Sequence, residues 1–327
     1  MLSIIIPYHN EKPKDLAPLM TSLNMQVGIN FKELEIIMCS DTEKSLIDTY
    51  SFKEYSNITK CIKKIKSPTK NNPGLSRQAG LDVAIGEYVI FCDADDCLYS
   101  VGVLREILEN INLSHADVYR YRFIEEIGSF DNDQLVYKIK DFNWIWVFSK
   151  IYRREFLKQH NIHFSEKLMY HEDNYFNTVL SYCDPKVVDI NSTPMYLWRF
   201  NKNSITRLNN HEYTFNSVDE LLEARALSYR RVIGELKKDC TRDIIIVIVR
   251  EYLVLVDPKN ANQKVYDRVA KRFYEFVKEF TPTLITHEYA PELTNFIYEI
   301  YRASDSNFIP RVSLKDFLLE LKAKFDS

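Results

Sequence analysis

The stretch Tyr88-Val89-Ile90-Phe91-Cys92-Asp93-Ala94-Asp95-Asp96 passes from an unbroken apolar run straight into three carboxylates within four positions. A short apolar run without alternation is the pattern of a strand covered on both faces. The same pattern recurs in Leu2 to Pro7, in Leu34 to Cys39 and at about Cys61 to Ile65. Helical segments fall between these strands. One is capped by Asp15 and runs through Leu16, Leu19, Met20 and Leu23, with Pro18 read as lying in its first turn; another spans Leu75 to Ala84. Buried strands alternating with helices imply an α/β, Rossmann-like, mostly parallel sheet with helices on both faces. Such sheets bind ligands beyond the carboxyl ends of their strands. That rule puts Pro7-Tyr8-His9-Asn10-Glu11, Ser40-Asp41 and Asp93-Ala94-Asp95-Asp96 on one rim. Three strands from separate parts of the chain thus converge on one site.

Further along, the pattern gives a helix from about Ser100 to Asn112 and strands near Val118–Phe123 and Val136–Ile139. An aromatic, half-buried stretch, Trp144 to Ile151, comes next, then a helix over Glu172 to Cys183 and a strand over Met195 to Phe200. After about Arg207 the character changes to long amphipathic helices: Glu212–Lys238, Thr241–Val256, Gln263–Phe280, Glu288–Arg302 and Ser313–Phe325. The expected organisation is an α/β domain over residues 1–207 and an α-helical C-terminal domain over residues 208–327.

The 43 basic and 46 acidic residues leave a net charge of −3, which argues against a dedicated nucleic-acid binder. Lys60, Lys63, Lys64, Lys66 and Lys70 read as the solvated guard of an edge strand, in preference to a patch for an anionic ligand or membrane. The six cysteines form no Cys-x-x-Cys pair and read as reduced, structural thiols. No apolar run reaches the roughly 18 residues that cross a bilayer, and the N-terminus lacks a signal-peptide pattern. A cytoplasmic location, with peripheral contact at the inner face of the membrane as an option, is the expectation.

Three carboxylates crowded after one strand repel one another until a hard cation neutralises them, and an all-oxygen set suits Mg2+ or Mn2+. Phosphate oxygens and water would complete such a shell. The plainer alternative is an acidic turn that caps the helix near Ser100. Asn71-Asn72-Pro73-Gly74-Leu75-Ser76-Arg77-Gln78 is a loop entering a helix, where backbone amides and the Arg77 guanidinium suit phosphate oxygens. No Gly-Lys-Ser/Thr follows, so it is not a P-loop.

The order Ser3-Ile4-Ile5-Ile6-Pro7-Tyr8-His9-Asn10-Glu11, Glu35 to Asp41, Gly74 to Gly80 and Ala84 to Asp96 resembles the family 2 glycosyltransferases of GT-A fold. The likeness continues through Ser149 to Leu157, Ile162-His163-Phe164, His171-Glu172-Asp173-Asn174-Tyr175-Phe176 and Ser204-Ile205-Thr206, covering about residues 2–207. Ser40 stands where that family commonly has the first of two aspartates, Gln78 replaces a usual Asn, His9 a frequent Tyr, and the aromatic two residues before Lys150 is Phe148. The resemblance implies a donor site containing Pro7, Tyr8, His9, Glu11, Asn72 and Ala94. In it, Asp41 meets the nucleotide base, commonly uracil, and Arg77 faces the donor. Asp93 lies nearer the ribose, Asp95 on the Mn2+ or Mg2+ ion, and Asp173 is the general base. Only one of the adjacent Glu172 and Asp173 is expected to enter the cleft. The reaction implied is inverting transfer from a nucleotide sugar, with UDP-sugar favoured, to a hydroxyl of a glycan or other acceptor. Surface-polysaccharide synthesis is the common role, and a protein or nucleobase acceptor the alternative.

Trp144, Trp146 and Trp198 are candidates for an acceptor-stacking platform, though core packing is the commoner use of such residues. His171 and His211 are weaker candidates for approach to the metal. The last helix, with Leu314, Phe317, Leu318, Leu321 and Phe325 at helical spacing, is expected to pack on its predecessors more readily than on a membrane. A nucleotidyltransferase would carry a Gly-rich basic loop, absent at Pro7–Glu11. A binding module would need no base, and a glycoside hydrolase would set its carboxylates across a groove.

Overall fold

The computed structural model describes residues 1–128, 134–201, 215, 217–260, 265–304 and 310–326. They form two compact units, Met1–Ser204 and Ile205–Ser327. The expected boundary at 207, His211 and the Ser204-Ile205-Thr206 segment lie outside the described residues, as do the expected first turns at Glu212 and Gln263.

In the first unit the chain order opens with β1 (Leu2–Tyr8), α1 (Pro13–Asn24), β2 (Leu34–Ser40), α2 (Leu46–Thr49), β3 (Ile62–Lys66), α3 (Pro73–Val83) and β4 (Tyr88–Phe91). It continues with β5 (Cys97–Leu98), α4 (Val103–Ser114), β6 (Val118–Tyr121), β7 (Phe123–Gly128), β8 (Leu135–Lys140) and β9 (Lys150–Arg153). Then come α5 (Arg154–Gln159), α6 (Glu172–Ser181), β10 (Val187–Ile190) and β11 (Tyr196–Trp198). Seven strands form the main sheet in the order β10-β6-β9-β4-β1-β2-β3; β1 to β4 are mutually parallel and β9 runs against both neighbours. A second sheet has four strands in the order β5-β11-β7-β8.

The runs read from sequence as buried are buried: Ile4, Ile5, Ile6, Ile36, Ile37, Met38, Val89, Ile90 and Phe91 have no exposed surface. Several details differ from expectation. The strand expected to stop at Pro7 continues to Tyr8. Ile5 O accepts from Cys92 N and Tyr8 O from Asp41 N, so odd residues of β1 face β4 and even ones face β2. Pro7 therefore turns its missing N–H toward β4, whose pairing has already ended at Ile5. Asp15 is not the cap of α1; Lys12 holds that place, and Asp15, at the third helical position, accepts its N–H at 2.8 Å. Pro18 lies in the second turn of α1, where the carbonyl it leaves free is that of exposed Lys14. Val118–Phe123 is two strands, because Arg122 breaks the run: its carbonyl accepts from Met195 N and the chain passes from one sheet to the other.

The lysines of edge strand β3 are only partly a solvated guard. Lys64 donates to the carbonyls of Ile47, Asp48 and Tyr50, and Lys66 to Asp48 Oδ2 at 2.5 Å and Thr42 O at 3.0 Å. At the far edge of the smaller sheet β8 is exposed on both faces, with Leu135, Val136, Tyr137 and Ile139 between 45 and 60% accessible. None of the six cysteines is in a disulfide.

The second unit is helical: α7 (Val218–Gly234), α8 (Thr241–Val256), α9 (Tyr266–Phe280), α10 (Thr283–Thr286), α11 (Pro291–Ala303) and α12 (Leu314–Phe325). The apolar stripe of α12 is buried through Leu314, Phe317, Leu318 and Leu321, and Phe317 packs against Tyr252 and Phe273. Among the described residues no helix is long and apolar enough to cross a membrane.

Candidate active site

Because β1, β2 and β4 are parallel, their carboxyl ends lie side by side, and the segments that follow them meet there. His9 Nδ1 and Asp41 Oδ1 are 2.5 Å apart, joining the ends of β1 and β2. Glu11 turns back to accept the His9 N–H at 2.5 Å. Tyr8 is buried and its hydroxyl donates to Asp48 at 2.7 Å, so it supports the rim from beneath. Pro7 and Ala94 are likewise buried backbone supports. Asn72 is 4% exposed and doubly engaged: its Oδ1 caps α3 by accepting from Leu75 N at 2.9 Å, and its Nδ2 donates to Leu168 O at 3.0 Å.

The three aspartates after β4 have separate partners. Asp93 N donates to the Tyr196 hydroxyl at 2.8 Å, and Asp93 Oδ1 accepts from Arg77 Nη2 at 2.6 Å. Asp95 Oδ2 accepts from Asn201 Nδ2 at 2.9 Å, while its carbonyl accepts from Arg199 Nη1 at 2.9 Å. Asp96 is 1% exposed and accepts the Arg199 N–H at 2.8 Å, which ties it to the segment after β11. The pairing of β5 with β11 brings Tyr196, Arg199 and Asn201 here.

Burial raises the Asp95 carboxyl above the ordinary range, and Asp93 adds to the rise. Burial also raises Glu11, with Asp95 contributing. Glu11, Asp93 and Asp95 thus crowd one another, and a cation among them would relieve the repulsion. Among the described residues no three acidic, His or Cys side chains are arranged to hold a metal by themselves. An ion that also binds a diphosphate needs only one or two protein carboxylates, and Asp95 fits that requirement.

Arg77 reaches the rim from α3 but is taken up by protein: beside its bond to Asp93, Nη1 donates to Glu172 Oε1 at 2.7 Å. It is 7% exposed and ties the end of β4 to the first turn of α6. Gly74 permits this close approach, since a Cβ there would lie 2.6 Å from Glu172 Cγ. Asp173, next on α6, accepts only its neighbour's N–H, from Asn174 at 2.8 Å, among the bonds resolved for it. Burial first, then Glu172 and Asp93, push Asp173 up to about 7 against the opposing pull of Arg77. The two acidic neighbours are therefore divided: Glu172 holds the guanidinium, while the Asp173 carboxyl is left out of that bond and held up near neutrality. His171 caps α6 in a left-handed conformation, φ 57°, with Nδ1 3.4 Å from Asn174 Nδ2. Trp146 and Trp198 pack on each other at 5.1 Å and on the Phe148 ring, whereas Trp144 lies against Arg120.

Residues 3–175 match the model of the glycosyl transferase family 2. The chain belongs to that family. The glycosyltransferase EpsJ of Bacillus subtilis, whose activity is uncharacterised, is 22% identical over 78% of this chain and 77% of its own. Among solved structures, TarS residues 1–349 of S. aureus in complex with UDP-GlcNAc aligns with a TM-score of 0.54 at 18% identity, covering 92% of this chain and 91% of that one. The mannosyltransferase PcManGT of Pyrobaculum calidifontis, in complex with GDP-Man and Mn2+, aligns at 0.52 with 10% identity over 100% of this chain and 87% of its own. At such identities the likeness establishes the fold, which is GT-A. The protein is a family 2 glycosyltransferase. Glu172, Tyr196, Arg199 and Asn201 are the site residues that sequence reasoning did not assign. Neither the Glu172–Arg77 contact, between residues 95 positions apart, nor the approach of Arg199 and Asn201 carried a local signal in the sequence.

Proposed function

We propose that this glycosyltransferase takes a sugar from UDP and places it, with inversion at the anomeric carbon, on a hydroxyl of a glycan acceptor for surface-polysaccharide synthesis. The observation that carries the reading is the Arg77 bridge: one buried guanidinium holds Asp93 on the donor rim and Glu172 beside Asp173. The groups that position the leaving side and the attacking side are thereby parts of one rigid assembly. Asp41, held by His9, is the base-recognition carboxylate, and Asp93 is the partner for the ribose. A Mn2+ or Mg2+ ion bound through Asp95 would offset negative charge on the departing diphosphate. Asp173 accepts the proton from the acceptor hydroxyl as the new glycosidic bond forms. A single displacement with one base inverts the configuration. The Glu11–Asp93–Asp95 crowding supports the metal dependence. The mannosyltransferase complex with Mn2+ offers a precedent within the same fold.

The test is thermal denaturation with UDP-GlcNAc, UDP-Glc, UDP-Gal and GDP-Man, each with and without Mn2+. A Mn2+-dependent rise in Tm with one UDP-sugar, lost in Asp95→Asn, is expected. Equal stabilisation by GDP-Man, or stabilisation indifferent to Mn2+, would remove the donor and metal assignments respectively.

A further inference from the structure

Lys150 opens β9 and is 2% exposed, and the mechanism above gives it no role. Its Nζ donates to the Trp146 carbonyl. The same carbonyl accepts from Asn177 Nδ2 at 3.1 Å, and Asn177 Nδ2 also reaches Ile145 O at 3.1 Å. Asn177 Oδ1 accepts from the Tyr152 hydroxyl at 3.0 Å. Asn177 follows Asp173 by four residues on α6, so the two share a helix face. Lys150 and Tyr152 are two apart on β9 and share a strand face. Both interact electrostatically with Asp173. The helix that carries the base and the strand that carries the lysine are thus joined through the Trp146 segment.

The charged groups that face Asp173 are Glu172 and Asp93, which oppose its ionisation, and Arg77 and Lys150, which favour it; the Tyr152 hydroxyl is the other titratable neighbour. Lys150 is faced by Asp173 and by Arg120. Arg77 is already shared by two carboxylates. We propose that Lys150 is a positioning residue for transfer: anchored on the Trp146 carbonyl, it holds that segment against α6 and supplies the positive charge that keeps Asp173 ionised. Burial pushes the lysine down to about 7, which marks the site as one where an ammonium is held at the expense of stability.

This inference rests on Asp173 as the base, and the experiment separates the two. UDP release is followed against pH with the UDP-sugar chosen by the thermal screen, in the full chain. Lys150→Met should lower kcat about tenfold or more, leave donor KM within about twofold and move the acid limb to higher pH, since a lost cation raises the Asp173 pKa. Lys150→Arg, whose charge persists at every pH used, should move the limb to lower pH. An unmoved limb, or kcat within about twofold of the parent in Lys150→Met, overturns the proposal. Should Lys150→Met not fold, Lys150→Arg decides alone: a limb unmoved or displaced upward refutes it. Full transfer in Asp173→Asn would sink the base assignment itself, whereas an inactive Asp173→Asn beside unaltered Lys150 variants sinks only the role of the lysine.

Discussion

Asp173 must be deprotonated to accept a proton, and its carboxyl is pushed up to about 7 by burial and by Glu172 and Asp93. Transfer should therefore be full above that pH and fall tenfold per unit below it, as a kcat profile would record. Asp173→Asn removes the acceptor of the proton while keeping the shape, so kcat should drop by ~10²–10⁴ with donor affinity preserved in a binding titration. Arg77 is a different case, because it touches two carboxylates and its loss leaves both facing each other across a buried space. Arg77→Met should lower stability by about 3 kcal/mol, measured by denaturant titration, the low end for a broken buried pair since Asp93 is partly exposed. Asp93 and Asp173 were readable as a pair of acidic motifs; that one arginine connects them was not. Its partners lie 16 and 95 positions away along the chain, and no local pattern encodes such a distance.

The legible elements were those whose burial is continuous. β1, β2 and β4 announce themselves as unbroken apolar runs, since both their faces are covered. β11 was read as a strand over Met195–Phe200 and spans Tyr196–Trp198, whereas β5, two residues held by pairing with β11, carries no periodicity of its own. Without that pairing, nothing in the sequence placed Arg199 and Asn201 beside the aspartates. The helix α3 shows a further constraint that composition conceals. A Cβ on Gly80 would fall 2.5 Å from Ile5 Cγ2 and 2.8 Å from Cys39 Sγ, so the helix lies directly on the roof of β1 and β2. Gly80→Ala should lift α3 and destabilise the protein by about 1–3 kcal/mol, seen as a lower Tm. Since α3 also carries Arg77, its kcat should fall more than its donor affinity.

Across the whole molecule, buried titratable groups set how stability depends on pH. Glu251, on α8 in the helical unit, is 8% exposed and raised to about 7, chiefly by burial. A carboxyl raised on folding contributes stability below its unfolded pKa, and that contribution disappears as pH climbs through about 7. Glu251→Gln should thus increase stability at pH 8 by up to about 3 kcal/mol and leave it unchanged near pH 4, by thermal denaturation at the two values. The two sheets end differently as well. β3 tucks two of its lysines onto its own loops, but β8 leaves Leu135, Val136, Tyr137 and Ile139 in water along an edge that is unpaired among the described residues. An open ladder of this kind invites a neighbour's strand. Concentrated stocks should therefore scatter more light as they stand, and Val136→Lys, which extends the basic row of Lys138 and Lys140, should keep them clear.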